Sequence, residues 1–143
     1  MILCDLPYGT TRNKWDSVIP FEPLWAQYKR ICKGAIVLTA TQPFTSKLVV
    51  SSIEMFKYCW VWEKSKVTGV LNAKHQPLRN YEDVCVFAEG RVIYNPQGLI
   101  VKGTLTKQGG TSQNYGTRNT GAYMQDFTNY PRQVIRFPSE GST

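Results

Sequence analysis

The sequence predicts an α/β fold with a mainly parallel sheet, and three observations carry that prediction. Four short apolar runs, residues 2–4, 35–39, 57–63 and 83–87, have the length and the β-branched or aromatic content of strands. Two stretches between the first three runs read as helices, the first with apolar residues at helical spacing. The resulting order of strand, helix, strand, helix, strand, strand is that of an α/β layer.

The elements follow in chain order. Residues 2–4 form an apolar fragment that stops abruptly at Asp5. Pro7, Gly9 and the polar run 10–14 then predict a loop. A helix is expected over 20–33, because Phe21, Leu24, Trp25, Tyr28 and Ile31 or Cys32 repeat at i, i+3, i+4 and i+7. Pro23 suits its first turn and Gly34 its end. The continuous apolar run 35–39 predicts a strand buried on both faces. A second helix is expected over 43–55 with Phe44, Leu48 and Ile53 inward. Residues 57–63 are the strongest strand, 64–81 read mostly as loop, and 83–87 form another strand. From 97 to 130 the chain turns rich in Gly, Thr, Asn and Gln and loses apolar periodicity, with 108–117 expected as a loop. Strand character returns at 134–138.

Composition bounds the function. At 143 residues the chain is one domain's length, long enough to bury a core. Its 42% hydrophobic and 13% aromatic content excludes a disordered tail. No apolar run approaches the roughly 18 residues of a membrane span, and the N-terminus lacks the pattern of a secretory signal. The 17 Lys and Arg against 10 Asp and Glu give a net charge of +7. That balance favours an acidic partner such as nucleic acid, although a basic surface also serves solubility. Cys4, Cys32, Cys59 and Cys85 are never spaced as Cys-x-x-Cys and sit among apolar neighbours, so they read as buried free thiols of a reducing compartment. His75 is the single histidine, and no metal site is expected. Trp15, Trp25, Trp60 and Trp62 read as packing residues.

One constellation carries chemistry. Asp5-Leu6-Pro7-Tyr8 follows a strand and precedes a glycine-containing loop. Ligands of open α/β sheets bind at the carboxyl ends of strands. There Asp5 can accept a hydrogen bond, Pro7 turns nearby carbonyls outward, and Tyr8 offers a flat ring. Acceptor, carbonyl and ring together describe a site for a planar base bearing an exocyclic amine.

DLPY resembles the (Asp/Asn/Ser)-x-Pro-(Tyr/Phe) catalytic motif of DNA amino-methyltransferases that use S-adenosylmethionine. Asp-Pro-Pro-Tyr is the commonest form, and Leu6 departs from it at a position that contributes mainly its backbone. Three downstream blocks extend the resemblance: GAIVLTATQPFTSKLV at 34–49, FKYCWVWEKSK at 56–66 with Trp62, Glu63 and Lys64, and KHQPLRNYEDVCVFA at 74–88 with Lys74, Pro77 and Glu82. In one circular permutation of the family the catalytic motif comes first, target recognition follows, and the glycine-rich cofactor motif comes last. The chain contains neither the family's His-Pro-x-Gln-Lys-Pro segment nor its Phe-x-Gly-x-Gly loop. The resemblance therefore implies a fragment or truncated homologue, with Met1 an internal residue of a longer relative.

What the resemblance implies is a partial Rossmann-like methyltransferase sheet with helices on its faces, plus an irregular recognition segment. Residues 1–90 would be the catalytic part, 91–133 the target-recognition region, and 134–143 a return toward the absent cofactor-binding part. Asp5, Pro7 and Tyr8 would be catalytic, with Asp5 and Leu6 toward the cofactor. Double-stranded DNA would be the substrate, one base being flipped outward. The initial Asp points to adenine N6, with cytosine N4 the alternative chemistry and a non-catalytic DNA-binding remnant the alternative class. Arg12, Lys14, Lys64, Lys74, Arg79 and Arg118, with Lys66, Lys102 and Lys107, would meet phosphates, and Gln113 or Asn114 base edges. A restriction endonuclease partner or a homodimer, and a cytoplasmic location in a bacterial or phage-encoded system, complete these expectations. Absent surface would leave apolar sheet positions uncovered.

Overall fold

The computed structural model describes residues 1–107 and 122–137. Its elements in chain order are β1 (Ile2–Asp5), α1 (Phe21–Ile31), β2 (Ile36–Ala40), α2 (Phe44–Ser51), β3 (Phe56–Thr68), a 3-10 turn (Val70–Asn72), β4 (Arg79–Phe87), β5 (Ile100–Lys107), β6 (Ala122–Thr128) and β7 (Val134–Phe137). The chain divides into two compact units, Met1–Ile93 with Gln133–Thr143, and Tyr94–Arg132.

The first unit is mixed α/β, a five-stranded sheet in the order β1-β2-β4-β3-β7 with two helices. β1 pairs with β2 in parallel and β3 with β7 in parallel, whereas β4 is antiparallel to both β2 and β3. Four strands thus point one way and β4 alone points back. The expectation of a mainly parallel sheet holds for direction but not for pairing, because the β3–β4 hairpin folds its second strand inward beside β2. Hairpin closure through residues 69–78 reverses the chain without a crossover helix.

Both helices pack on one face. Leu24 and Trp25 of α1 and Phe44 and Leu48 of α2 join Ile36, Leu38, Ala40, Cys85 and Phe87 in a single buried cluster. Trp25 stacks near Phe87, centroids 4.8 Å apart, and its Nε1 donates to Ser51 Oγ at 2.8 Å, tying α1 to α2. This corrects the expectation of helices on both faces. Right-handed crossovers that advance in one direction across a sheet fall on the same side. It also corrects the reading of β2 as buried on both faces: Ile36, Leu38 and Ala40 are buried, while Val37 and Thr39 on the opposite face are only half-covered. That second face carries Leu3, 67% exposed, beside Val37, its register partner.

Helix ends differ from expectation for local reasons. α1 stops at Ile31 because Cys32 is already extended, with φ −127°. α2 stops at Ser51, well short of residue 55. The Ser52 hydroxyl donates to Glu54 Oε1 at 2.9 Å, a local side-chain alternative to continued helix. The turn that follows buries Met55 and leaves Ile53, expected inward, 61% exposed. β3 runs on through Thr68 and β4 starts at Arg79, so much of the expected 64–81 loop is strand.

The second unit is a two-stranded antiparallel sheet of β5 and β6, with a register shift between Val101 and Thr104. Gly103 adopts φ +55° there, a conformation suited to a bulge. An irregular segment was expected. The strands are β-branched (Ile100, Val101, Thr104, Thr106), but nearly every position faces solvent, so no apolar alternation marks them. The expected loop 108–117 lies outside the described residues.

Candidate active site

Parallel pairing sets Asp5 directly beside Thr39 at the carboxyl ends of β1 and β2. Register partners project to the same face, and Thr39 Oγ1 donates to Asp5 Oδ1. Leu6, only 6% exposed, plugs into the core and anchors the turn. Pro7 then sends the chain back so that the Tyr8 hydroxyl reaches the same carboxylate. It donates to Asp5 Oδ1 at 2.6 Å and lies 2.8 Å from Thr39 Oγ1. No hydrogen bond occupies Asp5 Oδ2 among the described residues, and the Asp5 residue is exposed.

Tyr8 is fixed at both ends. Its ring packs on Phe44, centroids 5.2 Å apart and planes inclined by 31°, and Phe44 in turn packs on Phe21 at 5.9 Å. Partial burial, with the hydrogen bond to Asp5 next, pushes the Tyr8 phenol well above its usual range. The group is therefore a neutral donor at every physiological pH.

The loop after Tyr8 is organised by a residue that sequence reasoning passed over. Asp16 is buried and accepts three backbone N–H groups: Gly9 to Oδ1 at 2.8 Å, Thr10 to Oδ2 at 2.9 Å and Thr11 to Oδ2 at 2.6 Å. Hydrogen bonds from Thr11, side chain first and then backbone, followed by that from Gly9, hold its carboxyl down at about 2. Gly9 is required here: its φ is +67°, and an added Cβ would stand 3.1 Å from Val18 Cγ2. The clue was available, since Asp16 is the one acid in an otherwise basic and neutral stretch from 6 to 21.

A second group lies along the same edge of the sheet, where β3 ends and β4 begins. Lys64 Nζ pairs with Glu82 Oε1 and stands 4.9 Å from the Trp62 ring centroid. Trp62 Nε1 is buried without a hydrogen-bond partner among the described residues. Next to it, Arg136 Nε donates to Glu63 Oε2 at 2.6 Å, linking β7 to β3. A shallow cavity of about 200 Å³ opens beside this pair, lined by Glu63, Lys64, Ser65, Arg136 and Phe137.

The structure distributes the expected cations unequally. Arg12 and Lys14 are exposed in the loop that Asp16 holds, and no acid pairs with either among the described residues. Lys64 is engaged by Glu82. Lys66 near the end of β3, Lys74 on the connection and Arg79 at the start of β4 are exposed, and His75 sits on that connection, its backbone N–H bonded to Asn72 O at 2.9 Å. Lys102 Nζ donates to Gln125 Oε1 at 2.8 Å in the second unit, and Lys107 ends β5. Arg118, Gln113 and Asn114 lie outside the described residues. Trp15, read as packing, is 71% exposed, because the Asp16 hydrogen bonds turn the loop backbone inward and its neighbour outward.

No helix among the described residues is long and apolar enough to cross a membrane. No protein-family model matches the chain, and no curated protein matches it.

Proposed function

We propose that the chain carries the catalytic and target-recognition parts of an adenine-specific DNA methyltransferase, which transfers a methyl group from S-adenosylmethionine to the N6 amine of a flipped adenine in duplex DNA. The observation that carries the reading is the exposed Asp5 carboxylate at the carboxyl end of β1, with Oδ2 unengaged among the described residues and Pro7 and Tyr8 following after Leu6. A carboxylate oxygen and a backbone carbonyl are the acceptors that an exocyclic NH₂ needs. Both hydrogens of the amine would be held, by Asp5 Oδ2 and the Pro7 carbonyl, drawing the nitrogen toward tetrahedral geometry. Tyr8 would stack on the flipped base, its ring orientation set from behind by Phe44. The work of these residues is positioning and electrostatics.

The donor set at Asp5 fits a cationic methyl donor, since an exposed carboxylate favours an adjacent positive charge. When bound, S-adenosylmethionine supplies an electrophilic methyl on sulfonium. The Leu6 side chain is committed to the core, so only its backbone would face that cofactor. The Rossmann-like methyltransferase sheet belongs to the same proposal, and the parallel β1–β2 pair with α1 between them supports it. Arg12 and Lys14, exposed in the loop after Tyr8 with no acidic partner among the described residues, fit phosphate contacts with duplex DNA. A cytoplasmic setting, and a homodimer or a restriction endonuclease as companion, belong to the reading as well.

The deciding experiment is incubation with S-adenosylmethionine and unmodified duplex DNA, followed by mass analysis of the nucleosides. N6-methyladenine is the expected product. N4-methylcytosine would transfer the reading to the other base, and DNA binding without methylation would favour the non-catalytic remnant. One observation favours that second class: Tyr8 and Thr39 both bond to Asp5 Oδ1, so half of the carboxylate is already satisfied within the chain.

A further inference from the structure

Cys59 of β3 and Cys85 of β4 are direct register partners in the antiparallel pair. Their Sγ atoms lie 3.3 Å apart, and both thiols are free. Cα atoms of directly opposed antiparallel residues stand about 4.5–5.5 Å apart, inside the roughly 4.4–6.8 Å that a disulfide spans. No backbone movement is needed to bring these sulfurs within bonding reach. The two positions are not alike. Cys85 is fully buried, whereas Cys59 is half-buried. The hydrogen bond between the two thiols lowers the Cys59 pKa, and the same contact, with burial, raises that of Cys85. One sulfur thus belongs to the less buried residue and has the lowered pKa, and the other is held against it. Cys4 and Cys32 have no such arrangement: no second sulfur bonds to either among the described residues, and the Cys32 thiol points to Ala35 O at 3.6 Å.

We propose that Cys59 and Cys85 form an oxidisable dithiol, a site at which hydrogen peroxide creates a cross-strand disulfide between β3 and β4. The Cys59 thiol gives up its proton, the thiolate attacks one peroxide oxygen, the O–O bond breaks, and the departing hydroxide takes up that proton as water, leaving the sulfenic acid. Cys85 then attacks the Cys59 sulfur, its proton going to the hydroxide that departs from the sulfenic acid, and a second water is released. Two thiols are oxidised by two electrons, and one peroxide is reduced to two waters. The sulfur of the less buried residue, Cys59, is the attacking one and that of fully buried Cys85 the resolving one. The bond would staple the two strands that carry Trp62, Lys64 and Glu82 to the site edge. It would also lie beside β7, since Gln133 Nε2 donates to Cys59 O at 2.7 Å. The inference is independent of methyl transfer.

The test is peroxide treatment of the folded full chain, followed by alkylation, thiol counting and peptide mass analysis. The four thiols of the chain should fall to two, with the tryptic peptides 58–64 and 80–91 joined and two hydrogens lost. Cys85→Ser should leave Cys59 as a sulfenic acid that a dimedone probe captures. Four surviving thiols, a bridge between any other pair, or Cys59 driven to unlinked sulfinic acid would each overturn the proposal. Should Cys85→Ser not fold, the wild-type thiol count and linked peptides decide alone.

Discussion

The Tyr8 hydroxyl donates to Asp5 Oδ1 at 2.6 Å across a turn of three residues, so the ring that would hold a base is tied to the carboxylate that would bind its amine. Thr39 donates to the same oxygen from the neighbouring strand. The pair is preorganised: Asp5 has one oxygen fixed and one open, and Tyr8 has its hydroxyl committed and its ring held by Phe44.

Tyr8→Phe should therefore preserve the fold at a cost of about 0.5–1.5 kcal/mol, the worth of one hydrogen bond. The sign of its pH dependence follows from the phenol being raised in the folded chain. An unfolded tyrosine titrates near about 10. The contribution of the neutral hydroxyl is fully present below that value and is lost as pH rises through the higher folded value. Ultraviolet titration of wild type against Tyr8→Phe should show the missing phenolate only at the alkaline extreme. A difference already complete near about pH 10 would contradict the buried, Asp5-bound hydroxyl.

How far these features could be read from sequence depends on the range of the forces involved. β1, α1 and β2 were legible because an apolar run and an i, i+3, i+4 repeat are local signals, and Leu24, Trp25, Ile36 and Leu38 obey them. The elements that Asp5 needs most are not local. Thr39 meets Asp5 only through parallel register, and Phe44 meets Tyr8 only through the packing of α2, so neither carried a signal. Ile53 lies outward because the helix ends at Ser51, where the Ser52 hydroxyl turns to Glu54, and the turn that follows buries Met55 instead. The β5–β6 pair was hidden because strands exposed on both faces have no apolar alternation.

The outward position of Ile53 is measurable. Phe87 is fully buried between Trp25 and Phe56, with centroids 4.8 and 5.6 Å away. Phe87→Ala should cost about 3–5 kcal/mol in denaturant unfolding. Ile53→Ala, at a position 61% exposed, should change stability by no more than about 0.5 kcal/mol. Comparable losses at both positions would show that residue 53 packs inward after all.

Thr45 Oγ1 donates to Asp83 Oδ2 at 2.8 Å, both residues being buried. Thr45→Val keeps the shape and removes the donor, leaving a buried carboxylate without that partner. The expected loss is about 1.5–3 kcal/mol, the range for hydrogen bonds to charged groups. Thermal unfolding of the variant measures it, and an unchanged midpoint would show that the bond contributes nothing.

Asp16 makes the loop acid-sensitive. Its carboxyl sits at about 2 in the folded chain, held down first by Thr11 and then by Gly9 and Thr10, against about 3.9 when unfolded. A depressed folded value means the stabilisation is present above about pH 4 and is lost as pH falls toward about 2. Urea midpoints of the wild type should drop across that window, and those of Asp16→Ala should drop less. The variant should also be the less stable of the two at neutral pH. Parallel midpoints for both chains at every pH would remove Asp16 from its organising role.

The loop that Asp16 shapes presents Arg12 and Lys14 beside the site with no acid to neutralise them among the described residues, whereas Lys64 is already engaged by Glu82. If duplex DNA is the partner, the two loop cations should meet phosphates and release counterions on binding. Each phosphate contact removed lowers the slope of log affinity against log salt by about 1. Arg12→Ala with Lys14→Ala should therefore flatten the slope by about 2 and weaken binding alike on every sequence, since phosphates carry no sequence information. Lys64→Gln should flatten it less, because its charge is spent within the sheet and its loss strands Glu82 instead. Fluorescence anisotropy on a short duplex over a salt series reads both effects. A slope that Lys64→Gln lowers as much as the loop pair does would place the phosphate contacts at the end of β3 rather than in the loop after Tyr8.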